Sequence, residues 1–158
     1  DVPAYIRIGK KGEPDIHTSL PKFKVGEAII VRPGKDVALL CAGTLMSETL
    51  RAADILKENG ISAEVVSFHT IKPLDEIYLR SASDRFNLLI TVEEHSRIGG
   101  FGSAVSEWIS SKNCSVQQIS FGTDDEFMHE VGSQSYARRK YGLTAENIAA
   151  RVAASFKL

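Results

Sequence analysis

The chain has 158 residues, 43% of them apolar and 25% charged, so it is long enough for one domain with a sizeable core. It contains no run of about 18 apolar residues that could span a bilayer. A formal net charge of −1 offers no clustered basic surface for nucleic acid or anionic lipid. The two cysteines, Cys41 and Cys114, form neither a disulfide framework nor a zinc-binding spacing. These features predict a cytoplasmic protein with neither nucleic acid nor a membrane as partner.

The first 24 residues differ in pattern from the rest of the chain. Ala4–Ile8 alternates apolar and polar residues like a short strand, but no nearby segment could pair with it. We therefore interpret 1–8 as the last strand of a preceding domain. Residues 9–24 are rich in Gly, Pro and Lys without a period, which is typical of a linker. One folded domain is expected at 25–158.

The domain opens with two strands and a helix. Glu27–Arg32 and Asp36–Ala42 are apolar strand segments separated by a Pro-Gly turn. So short a turn makes them antiparallel neighbours if they pair directly, although the chain could also cross to the opposite edge of the sheet. A helix follows with Thr44 as its N-cap, and Ile61–Phe68 is the next strand. Strand, helix and strand at this spacing predict a right-handed parallel unit.

Helices and strands alternate through the second half of the domain as well. The predicted segments are a helix capped by Asp75, the strand Asn87–Glu93, the helix Ser103–Ser111, the strand Val116–Phe121, a short helix beginning at 124–126, the helix Ser135–Tyr141 and a last helix capped by Thr144. Together they predict a three-layer α/β/α sandwich whose mixed sheet has five strands, four parallel and the first antiparallel.

A glycine turn (Gly99, Gly100 and Gly102) lies between a strand and a helix, where backbone N–H groups can hold a phosphate. The dinucleotide fingerprint is nevertheless incomplete, because Val105 stands where a small residue is needed. Two acidic residues just before the turn would also repel a pyrophosphate. A tight turn whose backbone packs closely against a neighbour is the favoured interpretation, and a stand-alone module that binds an anion or nucleotide at this turn is the alternative.

Three polar residues, Glu93, Glu94 and His95, lie at the carboxyl end of the strand that leads into the glycine turn. One histidine with two carboxylates falls short of the ligands that a metal needs, so we predict no metal site. The carboxyl end of a parallel sheet is where α/β domains place ligands or partner contacts. We expect these residues at the edge of the sheet or in an interface, with His69, which ends another strand, close to His95.

Arg7 stands between Ile6 and Ile8 in the predicted first strand. An exposed arginine is the simplest interpretation, yet its forked guanidinium also suits the recognition of a phosphate.

Four stretches resemble the C-terminal domain of transketolase and its thiamine-diphosphate-dependent relatives. They are PAYIRIGKKGEP (3–14), GKDVALLCAGTLMSETLRAADILKENGISAEVVSFHTIKPLD (34–75), TVEEHSRIGGFGSAV (91–105) and FGTDDEFMHEVGSQSYARRKYGLTAENIAARV (121–152). The motifs HTIKPLD, EEH and GGFGSAV look most like the C-terminal section of split, two-subunit transketolases. Other relatives are 1-deoxyxylulose-5-phosphate synthase and the beta subunits of 2-oxoacid dehydrogenases.

The resemblance implies a division of labour in the parent enzyme. Such enzymes hold thiamine diphosphate and a divalent cation in their first domain and activate the cofactor with a glutamate of a second, pyrimidine-binding domain, whose last strand resembles 1–8. Neither part belongs to this chain, so we expect it to bind no thiamine diphosphate and to be inactive alone. Its partners would be the remaining transketolase domains or subunit, in a parent that is a homodimer.

The resemblance also implies a reaction, the transfer of a two-carbon ketol unit between sugar phosphates. Arg7 is the one residue that the resemblance assigns to a substrate contact, since it resembles a phosphate-binding arginine of the family. Many members read S-R-Q where this chain has Ile6-Arg7-Ile8. A partner-docking surface, with the acids Asp124 and Asp125 exposed, is a further hypothesis.

Overall fold

A computed structural model of the chain describes residues 3–9 and 12–156. In chain order the strands and helices are β1 (Ile29–Arg32), β2 (Val37–Ala42), α1 (Met46–Glu58), β3 (Ala63–Ser67), α2 (Glu76–Arg85), β4 (Leu88–Ser96), α3 (Phe101–Ser111), β5 (Gln117–Thr123), α4 (Gln134–Lys140) and α5 (Ala145–Phe156). A single turn of 3-10 helix, Gly43–Leu45, leads from β2 into α1.

The five strands form one mixed sheet in the order β1-β3-β2-β4-β5. Strand β1 pairs antiparallel with β3, while β3, β2, β4 and β5 are mutually parallel. At the centre of the sheet, Leu39 of β2 lies opposite Val65 on one side and Ile90 on the other. The predicted fold class is confirmed, and of the two possibilities for the first strand, the crossing to the far edge is the one observed.

Helices cover both faces of the sheet, which gives three layers. Residues Val37, Leu39 and Cys41 of β2 pack in the core beneath α1 and α5. The alternate residues Ala38 and Leu40 pack in the core beneath α2 and α3. Because β2 is buried on both faces, its sequence is a continuous apolar run instead of an alternating one.

Residues 97–100 connect the end of β4 to the start of α3, and two helices, α4 and α5, follow β5. Gly142 has φ +66°, a left-handed conformation that glycine adopts without strain, and it separates α4 from α5. The carboxylate of Glu48 in α1 accepts a hydrogen bond from the N–H of Ala145, 2.9 Å away, so α1 caps the start of α5. Asp75 caps α2 as predicted, accepting from the N–H of Tyr78 at 2.8 Å.

Residues 3–9 have no regular secondary structure in the described part of the chain, where they lie beside no strand, so their assignment to a preceding domain stays a prediction. Two local predictions are wrong. Residues 124–126 form no helix, since the segment that they begin leaves Phe127 87% exposed and so lacks a buried stripe to stabilise it. Thr44 does not cap α1, because its hydroxyl is engaged by a residue of another strand.

The predicted strand 1–8, linker 9–24 and domain 25–158 each include residues outside the described ranges. Within those ranges, the helices are all too short or too polar to traverse a lipid bilayer.

Candidate functional site

Glu93, at the carboxyl end of β4, holds the first turn of α3. Its Oε2 accepts a hydrogen bond from the N–H of Phe101 and its Oε1 from the N–H of Gly102, both at 2.7 Å. The residue is 3% exposed. Burial raises the pKa of Glu93 above its ordinary value, although the two N–H hydrogen bonds oppose that shift. The chain's own carboxylate thus occupies the position at a helix start where an α/β protein would hold a phosphate.

The glycine turn is shaped by close contacts of its backbone. A Cβ added at Gly100 would overlap the backbone carbonyl oxygen of Ser96 and the carboxylate of Glu93. A Cβ added at Gly102 would lie 2.8 Å from Ser120 Oγ and 2.9 Å from Thr91 Oγ1, well inside van der Waals contact. These glycines let the turn approach β4 and β5 closely. This geometry is that of a packing turn in which the N–H groups at the start of α3 are already bonded to Glu93.

Glu94, the next residue, is the centre of a second polar network. Its Oε2 accepts from Thr44 Oγ1 at 2.5 Å and from Arg138 Nη2 at 2.7 Å. Gln134 Nε2 donates to both carboxylate oxygens, at 2.9 and 3.0 Å. Burial alone would raise the pKa of Glu94, but these hydrogen bonds, above all that from Arg138, outweigh it and hold the pKa below its ordinary value. The network joins β4, the start of α1 and α4.

The Glu94 network lies at the switch point of the sheet, between the carboxyl ends of β2 and β4. From β2 the chain proceeds to β3 on one side, and β4 lies on the other side. Open α/β sheets bind their ligands in the crevice that such a reversal creates. Here the bond between Thr44 and Glu94 spans that crevice, and the side chain of Arg138, only 15% exposed, covers it. Side chains of the chain itself therefore bridge the usual ligand position of the fold.

The sequence matches a known family over most of its length. The family model described as transketolase, C-terminal domain, matches residues 26–148. The chain belongs to this family. It is 37% identical over 157 residues to the transketolase C-terminal section of Methanocaldococcus jannaschii, covering 98% of this chain and 48% of the relative. The resemblance on which the sequence interpretation depended is confirmed.

Two further similarities lie within the same family. A 1-deoxy-D-xylulose-5-phosphate synthase of Caldanaerobacter subterraneus is 35% identical over 159 residues, which cover 99% of this chain and 25% of that enzyme. A solved structure of a split-gene transketolase, described as an inactive beta4 tetramer, superposes with a TM-score of 0.85 at 33% identity, over 93% of this chain and 48% of that one. The chain therefore spans about half the length of the split transketolases it matches, or less in the case of the synthase.

The two histidines predicted to lie together are separated in this C-terminal domain. Because β2 lies between β3 and β4, the end of β3, where His69 follows, does not adjoin the end of β4. His95 is exposed, with Nδ1 3.0 Å from the carbonyl oxygen of Ser96. His69 packs instead against Phe23, with ring centroids 4.2 Å apart. The predicted proximity is wrong, because the order of the strands in the sheet differs from their order in the chain.

His69 has an unusual environment within the domain. Both of its ring nitrogens are shielded from solvent and have no hydrogen-bond partner in the described part of the chain. Burial lowers the pKa of His69, because the charged form is poorly solvated there. The sequence alone gave no sign of this packing, since Phe23 lies in the segment assigned to the linker.

The remaining predicted residues lie apart from the two glutamate networks. Gly99 adopts φ +70° at the tip of the turn, and its N–H donates to Ser103 Oγ at 3.0 Å. Arg7 is exposed in a segment without regular secondary structure. Its assignment as a phosphate-binding residue therefore stays a prediction.

Sequence reasoning missed the three residues that donate hydrogen bonds to Glu94, namely Arg138, Thr44 and Gln134. Arg138 begins the basic run 138–140 in the last turn of α4, where positive charge is expected simply because it suits the helix dipole. Nothing in the local sequence distinguishes the one arginine that turns toward the sheet. Thr44 was predicted to cap a helix, because that role needs only its local sequence. The contact of all three residues with Glu94 is long-range, so only the structure shows it.

No group of three or more His, Cys, Asp or Glu side chains in residues 3–9 and 12–156 could hold a metal ion. The N–H groups at the start of α3 are taken by Glu93, and the crevice at the switch point is taken by Glu94 and Arg138. The described residues therefore do not fit a diphosphate with its cation.

Proposed function

We propose that this chain is the C-terminal domain of a transketolase-type enzyme, with a role in assembly of the enzyme and none in the chemical step. The parent enzyme would use thiamine diphosphate and a divalent cation to transfer a two-carbon ketol unit between sugar phosphates. Its setting would be carbohydrate metabolism in the cytoplasm, including the pentose phosphate pathway. One observation carries the structural role: both usual ligand positions at the carboxyl edge are filled by Glu93, Glu94 and Arg138.

The assignment to a split parent is supported by the share of each chain that the sequence similarity covers. The match to the Methanocaldococcus section covers nearly all of this chain and about half of the relative. Residues 1–8 would then be the last strand of a pyrimidine-binding domain, 9–24 the linker and 25–158 the C-terminal domain. In support, Tyr5, Ile6 and Ile8 are each at least 79% exposed here, as expected for a strand whose partners belong to another domain.

The partners in this proposal are the remaining domains or subunit of the transketolase, assembled as a homodimer. Contacts of this kind would bury large apolar side chains that face solvent in this chain alone. Such residues include Leu20, which is 98% exposed, Ile77, at 86%, and Phe127, at 87%. The exposed acids Asp124 and Asp125 lie close to Phe127 in the sequence and would belong with it to a docking surface.

Complementation of activity tests the proposal. The parent's cofactor-binding domains, produced without this chain, are assayed for ketol transfer between sugar phosphates with thiamine diphosphate and Mg²⁺, and then assayed again with the chain added. We expect activity to be gained only in the mixture. In calorimetry the chain alone is expected to bind no thiamine diphosphate, and micromolar binding by the isolated chain would sink the proposal.

A second candidate parent is a 1-deoxy-D-xylulose-5-phosphate synthase, because such an enzyme is 35% identical over 99% of this chain. The beta subunit of a 2-oxoacid dehydrogenase is the remaining alternative within the family. The same reconstituted mixture distinguishes the first two: formation of 1-deoxy-D-xylulose 5-phosphate would favour the synthase, and ketol transfer between sugar phosphates would favour the transketolase. A stand-alone nucleotide-binding module is not favoured, because Glu93 already fills the glycine turn.

A further inference from the structure

A small cavity lies at the carboxyl end of β5, beside α5 and apart from the crevice between β2 and β4. Its volume is about 90 Å³, and it is lined by Arg97, Ser120–Gly122, Asp124, Tyr141 and Arg151. A single water needs about 10–15 Å³ of cavity volume, so this cavity has room for several waters or for one small polyatomic ion. Two arginines in a cavity of this size indicate that the ion would be an anion.

Arg151 is an exposed residue that packs on an aromatic ring and has no charged partner among the described residues. Its guanidinium carbon lies 4.6 Å from the centroid of the Phe121 ring, and that residue is 2% exposed. This cation–π contact places the guanidinium over the ring while leaving its N–H groups free to donate. In the described part of the chain, the Arg151 guanidinium makes no hydrogen bond and no ion pair.

Arg97 is the second arginine, and its stem is held in place by Gly122. A Cβ added at Gly122 would lie 2.8 Å from Arg97 Cγ, so the arginine packs directly on the glycine backbone. Its guanidinium pairs with Asp124, whose side chain is 57% exposed. Asp124 balances one of the two positive charges. An exposed pair of this kind contributes little to stability, so an entering anion can compete for Arg97.

The other polar groups that line the cavity differ in whether they already make hydrogen bonds. Ser120 Oγ accepts from Thr91 Oγ1 and from Gln118 Nε2, each at 2.9 Å, and is therefore occupied. The hydroxyl of Tyr141 makes no hydrogen bond with any described residue, so it remains available as a donor. The cavity is thus lined by Arg151 and Tyr141, whose polar groups make no hydrogen bond with described residues, and by Arg97, whose ion pair with Asp124 is exposed.

We infer that this cavity is a binding site for a small oxyanion with the chemistry of a phosphate group, either inorganic phosphate or the phosphate of a monoester. A planar guanidinium donates two parallel N–H bonds to such an anion, and a phenolic hydroxyl can donate a third. The site lies in the C-terminal domain itself and does not depend on the parent's identity, so it goes beyond the proposed function.

Two-dimensional NMR of the ¹⁵N-labelled chain at low salt tests the inference with inorganic phosphate and glycerol 3-phosphate as probes. We expect saturable shifts of the amides of Gly122, Tyr141 and Arg151 with both probes if the phosphate group alone is recognised. A tighter response to the ester would show that the site also recognises the attached carbon chain. Arg151→Gln should weaken binding about tenfold or more, since it removes hydrogen bonds to a charged ligand.

Arg139→Gln is the matched control, because Arg139 is an exposed arginine of α4 that does not line the cavity. It removes the same charge and should leave binding nearly unchanged. Arg97→Gln provides a second variant, with thermal unfolding as the check that each variant is folded. Equal weakening by the Arg139 and Arg151 variants would show a nonspecific charge effect, and the absence of saturable shifts at tens of millimolar phosphate would also overturn the inference.

Discussion

Arg138 Nη2 donates to Glu94 Oε2 across 2.7 Å, and this contact joins a helix without a single buried residue to the centre of the sheet. The same guanidinium reaches the backbone carbonyl of Thr44 at 3.3 Å. Because α4 contributes nothing to either hydrophobic core, polar contacts through Arg138 and Gln134 determine where it lies.

Arg138→Met should therefore loosen α4. Methionine keeps a long apolar stem but leaves Glu94 without its principal donor, so we expect a loss of about 1–3 kcal/mol in the free energy of unfolding. Amide hydrogen exchange in 134–140 should accelerate by about tenfold or more, since local opening becomes easier. Mass-spectrometric hydrogen exchange measures the local effect and urea unfolding the global one.

Arg139→Met is the control for that experiment, because Arg139 is the adjacent, exposed arginine of the same helix. It should change stability by less than about 0.5 kcal/mol. If the two variants exchanged equally fast in α4, the contact with Glu94 would not be what holds the helix.

Glu94 should also make stability depend on acid pH. Its pKa in the folded chain lies below its ordinary value, which is about 4.3 for an unfolded chain. Its contribution to stability is therefore fully present above about pH 4.3 and is lost as the pH falls through the lower pKa of the folded state. Urea unfolding midpoints measured from pH 7 downward should fall less steeply below about pH 4.3 in Glu94→Gln than in the unchanged chain. Parallel slopes in this window would contradict the role assigned to Glu94.

The glycine turn offers a matched pair of substitutions. Gly100→Ala should destabilise the chain by about 3 kcal/mol or more, because its Cβ would overlap the backbone oxygen of Ser96 and the Glu93 carboxylate that caps α3. Gly99→Ala should cost only about 1–2 kcal/mol, from its φ of +70°, since no described residue lies within 4 Å of the added Cβ. Denaturant unfolding of both variants compares the two costs. A larger loss at Gly99 would mean that the turn is limited by backbone conformation and not by contact with Ser96 and Glu93.

The two cysteines should differ in reactivity. Burial raises the pKa of Cys41 to about 12, and the residue is fully buried, so almost none of its thiol is ionised near neutral pH. Cys114 is partly exposed in the turn after α3. A colorimetric disulfide reagent at about pH 8 should label Cys114 in the native chain within minutes and Cys41 only after denaturant is added. Rapid native labelling of Cys41 would show that the core beneath α1 opens.

The elements of the fold could be predicted because each depends on its own local pattern. The apolar run at β2 and the helical spacing in α1 and α5 identify those elements without knowledge of their neighbours. The order of the strands could not be predicted in the same way, because it depends on which edge β1 joins, and the short turn before β2 allows either edge. The misplaced proximity of His69 and His95 follows from that one ambiguity.

The candidate site was predictable only in part, for a related reason. Glu93 and Glu94 come directly after the apolar run of β4, so their position at the carboxyl edge of the sheet could be inferred from sequence. The hydrogen bonds that these carboxylates accept from Phe101, Gly102 and Arg138 could not be inferred from sequence. A carboxylate next to a glycine turn can either repel an anion or take its place. The distance from the carboxylate to the backbone N–H groups decides between these outcomes, and that distance is known only from the structure.

The cap that Glu93 places on α3 has a consequence for protein engineering. Two backbone N–H groups at the start of a helix, preorganised by a glycine turn, are masked by a single side chain that is contributed from outside the helix. Because Glu93 is 3% exposed, substituting it by a small neutral residue would leave both N–H groups buried without an acceptor unless an anion entered the vacated space. The start of α3 therefore depends on one side chain that the helix itself does not supply.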